Sequence, residues 1–247
     1  MEWRVIPLET HGAFENMALD EACSESVAAG GPPTIRFYRW QPSAVSIGFF
    51  QSLKDEVNEE ACMQAGVDVV RRRTGGGAVY HDDGGEVTYS VIAPSSLLPS
   101  GLTESYREIC GWIVRGLDRL GIRAEFKPIN DIIAGGKKIS GTAQTRRSGI
   151  IWQHGTILHD LDVRRMFSFL RVGADKISDK AIASVEERVT RVKNFAPNAG
   201  LEDTYKAMLA GFTEGKEWKQ GAWTPSETAR AEELSVFYAS PEWVNLR

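Results

Sequence analysis

Little cysteine and little histidine set the first limits on this chain. Its 247 residues include three cysteines and four histidines. Cys23, Cys62 and Cys110 lie far apart, without the paired spacing that builds a zinc site. An odd count so dispersed excludes a disulfide framework and fits a reducing, cytoplasmic setting. No run of about 18 apolar residues occurs, so no membrane-spanning helix is expected. The opening "MEWRVIPLETHGAF" lacks a basic stretch leading into an apolar one and does not read as a signal peptide. Positive charge is not in excess either. Lys and Arg number 29 against 33 Asp and Glu, a formal net charge of −4. That balance argues against nucleic acid or an anionic membrane as a partner. Internal repeats and low-complexity segments are missing as well.

What is present is ordinary globular composition, 42% hydrophobic and 25% charged, in a chain long enough to bury a full core. Residues 1–247 are expected to form one domain whose tail, from about residue 160 to 247, is helical. "WRVIPL" reads as a first strand, and "NMALDEACSESVAAGG" as a helix capped by Asn16 with Leu19, Cys23 and Val27 on one face. "TIRFYRW" and "SAVSIGFF" are β-rich runs joined by a Gln-Pro turn, as a hairpin or a sharp corner. "VDVVRRR" and "EVTYSVIA" are further strands. "SYREICGWIVRGLDRLG" predicts a helix with Ser105 and Glu108 as a capping box, Gly121 just past its end, and Cys110 in the core. Gly135-Gly136 and Arg147-Ser148-Gly149 mark hairpin turns. Leu201, Tyr205, Met208, Leu209 and Phe212 form the stripe of a late helix, and "TPSETARAEEL" begins another. Strands and helices cluster rather than alternate, which favours an α+β fold over a doubly wound parallel sheet.

The chemistry-bearing residues concentrate in two places. "RRRTGGGAVYHDDGG" sets three arginines against three consecutive glycines. A tight turn needs fewer glycines than that, whereas a backbone without Cβ atoms lets an anion approach its N–H groups. The segment is either a plain turn or an anion-binding loop. It matches neither a P-loop nor a dinucleotide fingerprint, because it runs into a strand. His81-Asp82 has no third ligand at metal spacing. The second place is "NDIIAGGKKISGTAQ", where Lys137 and Lys138 point to opposite faces of one strand. A lysine turned inward is costly unless it meets an anion, and Asn130 and Asp131 lie just upstream. Edge-strand lysines are also common solvated residues. Together the two segments describe a site for a phosphorylated or acyl-phosphate ligand.

"MALDEA", "SIGFFQ", "RRRTGGGAVYHD", "NDIIAGGKKISGTAQ", "WQHGTIL" and "SVEERVT" occur in an order and spacing that resembles the lipoate-protein ligase family. Biotin ligases and octanoyltransferases share that order, and the wording of the glycine motif is more similar to the lipoyl branch than to the biotin branch. The closing "SPEWVN" resembles the end of the family's catalytic region. The resemblance implies a mixed, mainly antiparallel β-sheet flanked by helices, with a pocket over the sheet. It implies that lipoic acid or octanoic acid is activated with ATP and Mg²⁺ to an acyl-adenylate, then passed to a lysine of a lipoyl carrier domain. The carriers are of the 2-oxoacid dehydrogenase E2 or glycine cleavage H protein type. Residue by residue, Arg72 with Gly75, Gly76, Gly77, Ala78, Val79 and Tyr80 would contact the adenylate. Asn130 and Asp131 would lie near the nucleotide, Asp131 also holding the Mg²⁺. Lys138 would be the catalytic lysine, at the acyl carbonyl and the bridging phosphate. His81, Gly141 and His154 would line the acyl pocket. Long ligases of the family carry a further C-terminal domain, and some short relatives use a small accessory subunit.

The nearest alternative is an ATP-independent octanoyltransferase that carries the acyl group on a cysteine thioester. That route needs an exposed, activated thiol. Residues 111–247 contain no cysteine, Cys23 and Cys110 read as core positions, and Cys62 falls in an expected helix. A second alternative is a non-catalytic module that binds lipoyl groups or their carriers. Such a module could dispense with Lys138.

Overall fold

A computed structural model of the chain describes residues 1–171 and 186–247. Ser184 and Val185, the first two residues of "SVEERVT", and part of the expected helical tail lie outside the described residues. In chain order the strands are β1 (Trp3–His11), β2 (Thr34–Trp40), β3 (Ala44–Ile47), β4 (Asp68–Arg71), β5 (Val79–His81) and β6 (Glu86–Pro94). They continue as β7 (Ala124–Lys127), β8 (Asp131–Ala134), β9 (Lys137–Arg147), β10 (Ile150–Leu158) and β11 (Trp218–Gln220). The helices are α1 (Ala13–Ala28), α2 (Leu53–Glu56), α3 (Glu59–Ala65), α4 (Leu102–Asp118), α5 (Val163–Phe169), α6 (Leu201–Thr213), α7 (Pro225–Tyr238) and α8 (Pro241–Val244).

The main sheet has eight strands in the order β11-β1-β2-β6-β10-β9-β8-β7, and a second sheet has the order β4-β3-β5. Pairing is antiparallel except for β1 with β11, β1 with β2, and β3 with β4. This is the expected α+β architecture. The two-residue period of strands divides the main sheet cleanly. Ile35 and Phe37 of β2, Val87, Tyr89 and Val91 of β6, and Ile151 and Ile157 of β10 join one core with α4 and α6. The alternate residues face the second sheet, α1 and α7, and there the site is built.

Several local expectations shift. Gly12, not Asn16, caps α1. Asn16 sits inside the helix, where its amide donates to the carbonyls of His11 and Arg39 and ties α1 to two strands. Gly101 caps α4 in place of the Ser105 and Glu108 box. Ser105 instead donates to Leu102 O, and Glu108 accepts from the Trp112 indole. The Gln-Pro turn is a corner rather than a hairpin, since β2 and β3 belong to different sheets. Both hairpin turns form as read. Gly135 and Gly136 have φ of 57° and 79°, and Ser148 and Gly149 have φ of 52° and 75°.

One irregularity decides the geometry of the site. The β8–β9 register runs Asp131 opposite Gly141 and Ile132 opposite Ser140, then jumps to Ile133 opposite Lys138. Ile139 is the extra residue of a bulge, and it packs into the core. A bulge re-aims the side chains beyond it. Strict alternation would have put Lys138 on the core side with Ser140. The bulge puts it on the face of Asp131 and Gly141.

Candidate functional site

A cavity of about 280 Å³ opens between the main sheet and the glycine loop. Its floor follows one row of paired residues across the sheet: Tyr38, Thr88, Thr156, Gly141 and Asp131. All of them but Asp131 line the cavity. Gly76, Gly77, Ala78, Val79 and Tyr80 line it from the second sheet side, and Leu158, Leu161, Met166, Leu170 and Val189 make an apolar wall. Arg72, His81, Asn130, Lys138, Gly141 and His154 also line it, so most of the predicted site residues converge. Gly75 is the exception within the loop, lining a separate groove beside Phe50 and Arg73.

Lys138 stands at the mouth. Its ammonium lies 2.6 Å from Asp131 Oδ1, with both side chains partly exposed. The backbone is pinned as well, Lys138 N donating to Arg188 O and its carbonyl accepting from Thr190 N, each at 2.8 Å. Gly141 supplies the space. A Cβ there would sit 2.7 Å from both Cε and Nζ of Lys138, so a bare backbone lets the ammonium fold across the strand. Lys137 points elsewhere and donates to Glu186 O. Asn130 is held by its own strand pair, its amide donating to Thr142 O at 2.7 Å.

Arg72 is buried and uses every donor on the protein. Nε donates to Thr74, Nη1 to the carbonyl and hydroxyl of Ser46, and Nη2 to the carbonyls of Gly75 and Gly77. All five of its N–H donors therefore meet protein acceptors on and around the loop. Burial lowers its pKa to about 10, with no carboxylate among these partners. Gly76, at φ 94°, needs the conformational freedom of glycine.

Behind the floor lies a buried polar network. Thr74 Oγ1, accepting from Arg72, is 2.7 Å from His154 Nε2, and His154 Nδ1 is 3.9 Å from Asp20. Burial first, then the charges of Arg72 and His81, lowers the His154 pKa to about 3, so its imidazole is neutral at pH 7. His81 stacks on Trp40 at 3.9 Å and is held between Glu86 at 2.7 Å and Ser46 at 2.8 Å. Trp40 donates to Thr88, which donates to Glu86. Met17, Tyr38, Trp40, Thr88 and the apolar wall were not singled out from sequence. Tyr38, Trp40, Thr88 and Leu158 share the even-numbered face of β2, β6 and β10, whereas Met17 lies on α1 and Leu161, Met166, Leu170 and Val189 lie outside those strands.

Asp131 and the three cysteines bear on the two chemistries weighed from sequence. Asp131 already pairs with Lys138, and among the described residues no group of three or more His, Cys, Asp or Glu side chains could hold an ion. The carboxylate expected at Mg²⁺ is thus the ion-pair partner of Lys138. Cys23, Cys62 and Cys110 are all buried, and none lines the cavity. Burial raises their pKa values to about 12, 11 and 12, the wrong direction for a nucleophile. No described helix is long and apolar enough to cross a membrane.

The cavity is thus an apolar trough over a mixed sheet with the Lys138 ammonium beside it. The family can be stated outright. This chain belongs to the lipoyl protein ligase A/B catalytic domain family, whose model matches residues 12–213. It is 38% identical to octanoyltransferase LipM of Kyrpidia tusciae, covering 98% of this chain and 97% of that protein. Its identity to octanoyltransferase LipM of Brevibacillus brevis is 36%, covering 100% and 99%. A bi-partite lipoate protein ligase of Thermoplasma acidophilum superposes with a TM-score of 0.91 at 33% identity, covering 100% of this chain and 98% of that one. A lipoate-protein ligase A bound with ATP superposes with a TM-score of 0.85 at 31% identity, covering 99% and 98%. These findings correct the main functional expectation. The full-length curated relatives are octanoyltransferases, which favours ATP-independent transfer over an ATP-dependent ligase.

Proposed function

We propose that this protein is an octanoyltransferase that moves an octanoyl group from a thioester donor to a lysine of a lipoyl carrier domain. The full-length octanoyltransferase relatives support transfer over ligation, and the observation that carries the acyl chemistry is Lys138, whose ammonium lies over Gly141 where the apolar cavity meets solvent. An acyl chain in the trough brings its carbonyl to that ammonium. The carrier lysine amine attacks the carbonyl carbon, and the oxyanion that forms is stabilised by the fixed positive charge. Collapse forms the amide C–N bond and breaks the C–S bond, and the amine proton leaves with the thiol. A thioester is already activated, so this step needs no nucleotide and no accessory subunit. With all three thiols buried away from the cavity, transfer is direct rather than by way of a cysteine thioester.

The acceptor would be a carrier of the E2 or H protein type. The T. acidophilum ligase that superposes here was described together with its E2 lipoyl domain, which supports a carrier of that kind. We take residues 1–247 as one catalytic domain working in the cytoplasm.

The test incubates the purified protein with octanoyl-carrier thioester and an unmodified lipoyl domain, without ATP, and scores acylation by mass spectrometry. Acylation of the domain lysine is expected, at the same rate for Cys62→Ser. Acylation only from free octanoate with ATP and Mg²⁺ would overturn the reading. A covalent acyl adduct on Cys62, lost with transfer in Cys62→Ser, would restore the thioester route.

A further inference from the structure

Two sequence features have no part in the chemistry above: the "SPEWVN" segment and the outer arginines of the triplet. In the structure they meet. Arg71 is wholly buried with no carboxylate among its hydrogen-bond partners. Its Nε donates to the carbonyls of Trp243 and Val244, and Nη2 donates to Val244 O at 2.8 Å. From the other side, Nη1 donates to the carbonyls of Gly48, Phe49 and Gln51. The Trp243 indole answers by donating to Arg71 O at 2.8 Å. Arg73 lies over the same indole at 4.3 Å and pairs with Glu21 at 2.9 Å.

The turn that Arg71 holds is the back wall of the glycine loop. A Cβ at Gly48 would run into the carbonyl of Gly76, so the two backbones are in close contact. Phe49 N donates to Thr74 O at 2.9 Å. A continuous path therefore leads from α8 through Arg71 and the Gly48–Gln51 turn to Gly76, which lines the cavity. We infer that Trp243 and Arg71 are positioning residues, and that the α8 turn sets the conformation of the glycine loop from behind.

Its catalytic consequence rests on the acyl-cavity reading, but the structural claim does not. A wall held out of place weakens binding of the acyl chain without touching Lys138. Trp243→Phe keeps an aromatic ring but removes the indole donor together with the fused five-membered ring, and Arg71→Lys removes most of the five-carbonyl clamp. The reference variant is Arg4→Met, which breaks a buried pair with Glu227 away from the loop. Amide hydrogen exchange is read on peptides covering residues 74–78 and, as an internal standard, on β6 and β10. In Trp243→Phe the loop is expected to exchange about three- to tenfold faster, the range set by one net hydrogen bond, with β6 and β10 unchanged. KM for the octanoyl donor should rise by a similar factor at near-parental kcat. Arg4→Met should lower the melting temperature and leave loop exchange and KM alone. Parental loop exchange in both Trp243→Phe and Arg71→Lys would overturn the inference, whether or not octanoyl transfer is found. Faster loop exchange in the two variants, with a parent that transfers no octanoyl group, would uphold the positioning and defeat only the function.

Discussion

The glycine loop and strand β9 both carry adjacent basic residues, and the molecule uses them in opposite ways. In the loop, Arg71 and Arg72 are buried with their donors spent on backbone carbonyls and hydroxyls, and Arg73 pairs with Glu21. On β9, Lys138 is half-exposed, held by one carboxylate, and lies over a glycine. Arginine suits the first task because its planar fork satisfies several acceptors at fixed angles. Lysine suits the second because a compact ammonium on a flexible stem can pair with Asp131 and, in the proposed transfer, turn to a developing oxyanion. Guanidinium charge near a cavity is thus no sign of ligand binding until its donors have been counted.

The comparison is broken most directly at Lys138. Lys138→Ala is expected to cut kcat on the order of 10²–10³-fold with an unchanged melting curve, as for loss of one oxyanion donor. Lys137→Ala, whose ammonium reaches only Glu186 O, should stay within about twofold, an exposed-site effect. Equal losses in the two would erase the distinction. Arg72→Lys tests the other side. It leaves buried carbonyls without partners and should cost about 2–4 kcal/mol in denaturant unfolding. A fully stable but inactive Arg72→Lys would show that this arginine meets substrate after all.

Gly141→Ala sharpens the account of Lys138. The new methyl meets the flexible end of the lysine rather than backbone, so the fold should survive. Displacing the ammonium by about 1 Å should lower kcat by roughly ten- to a hundredfold. The smallest expected effect concerns pH. His154 keeps its proton off down to about pH 3 in the folded protein, against a reference value of 6.5. Between those values the unfolded chain binds more protons, so stability rises with pH across that window and is lost as pH falls through it. Melting temperatures between pH 4 and 7 should therefore show a shallower slope in His154→Gln than in the parent.

Much of the fold was legible because periodicity reports burial directly. The Leu201–Phe212 stripe, the two glycine-marked hairpins and the buried face of α1 are all as read. Asn16 and Ser105 do not cap their helices because Asn16 bonds carbonyls on two strands and Ser105 bonds Leu102 O within its own helix and Gln144 on β9. The converging site residues were legible by resemblance, but the partners they find within the protein were not. Arg72 spends its donors on Thr74, Ser46, Gly75 and Gly77. Asp131 pairs with Lys138. The octanoyltransferase relatives favour transfer over ATP-dependent ligation, while ligases superpose over the same length, so the trough and ammonium alone do not separate the two.

The sequence by itself determined where glycine must stand, which strand faces are apolar, and that no cysteine follows residue 110. Those properties belong to single residues or to short-range spacing, and the chain states them without folding. Which of two adjacent lysines reaches the site was decided by the tertiary structure. The bulge at Ile139 reverses the alternation of β9, because pairing with β8 and packing of Ile139 into the core together outweigh a regular ladder. Register between strands is a long-range quantity, and it exists only once both strands are in place.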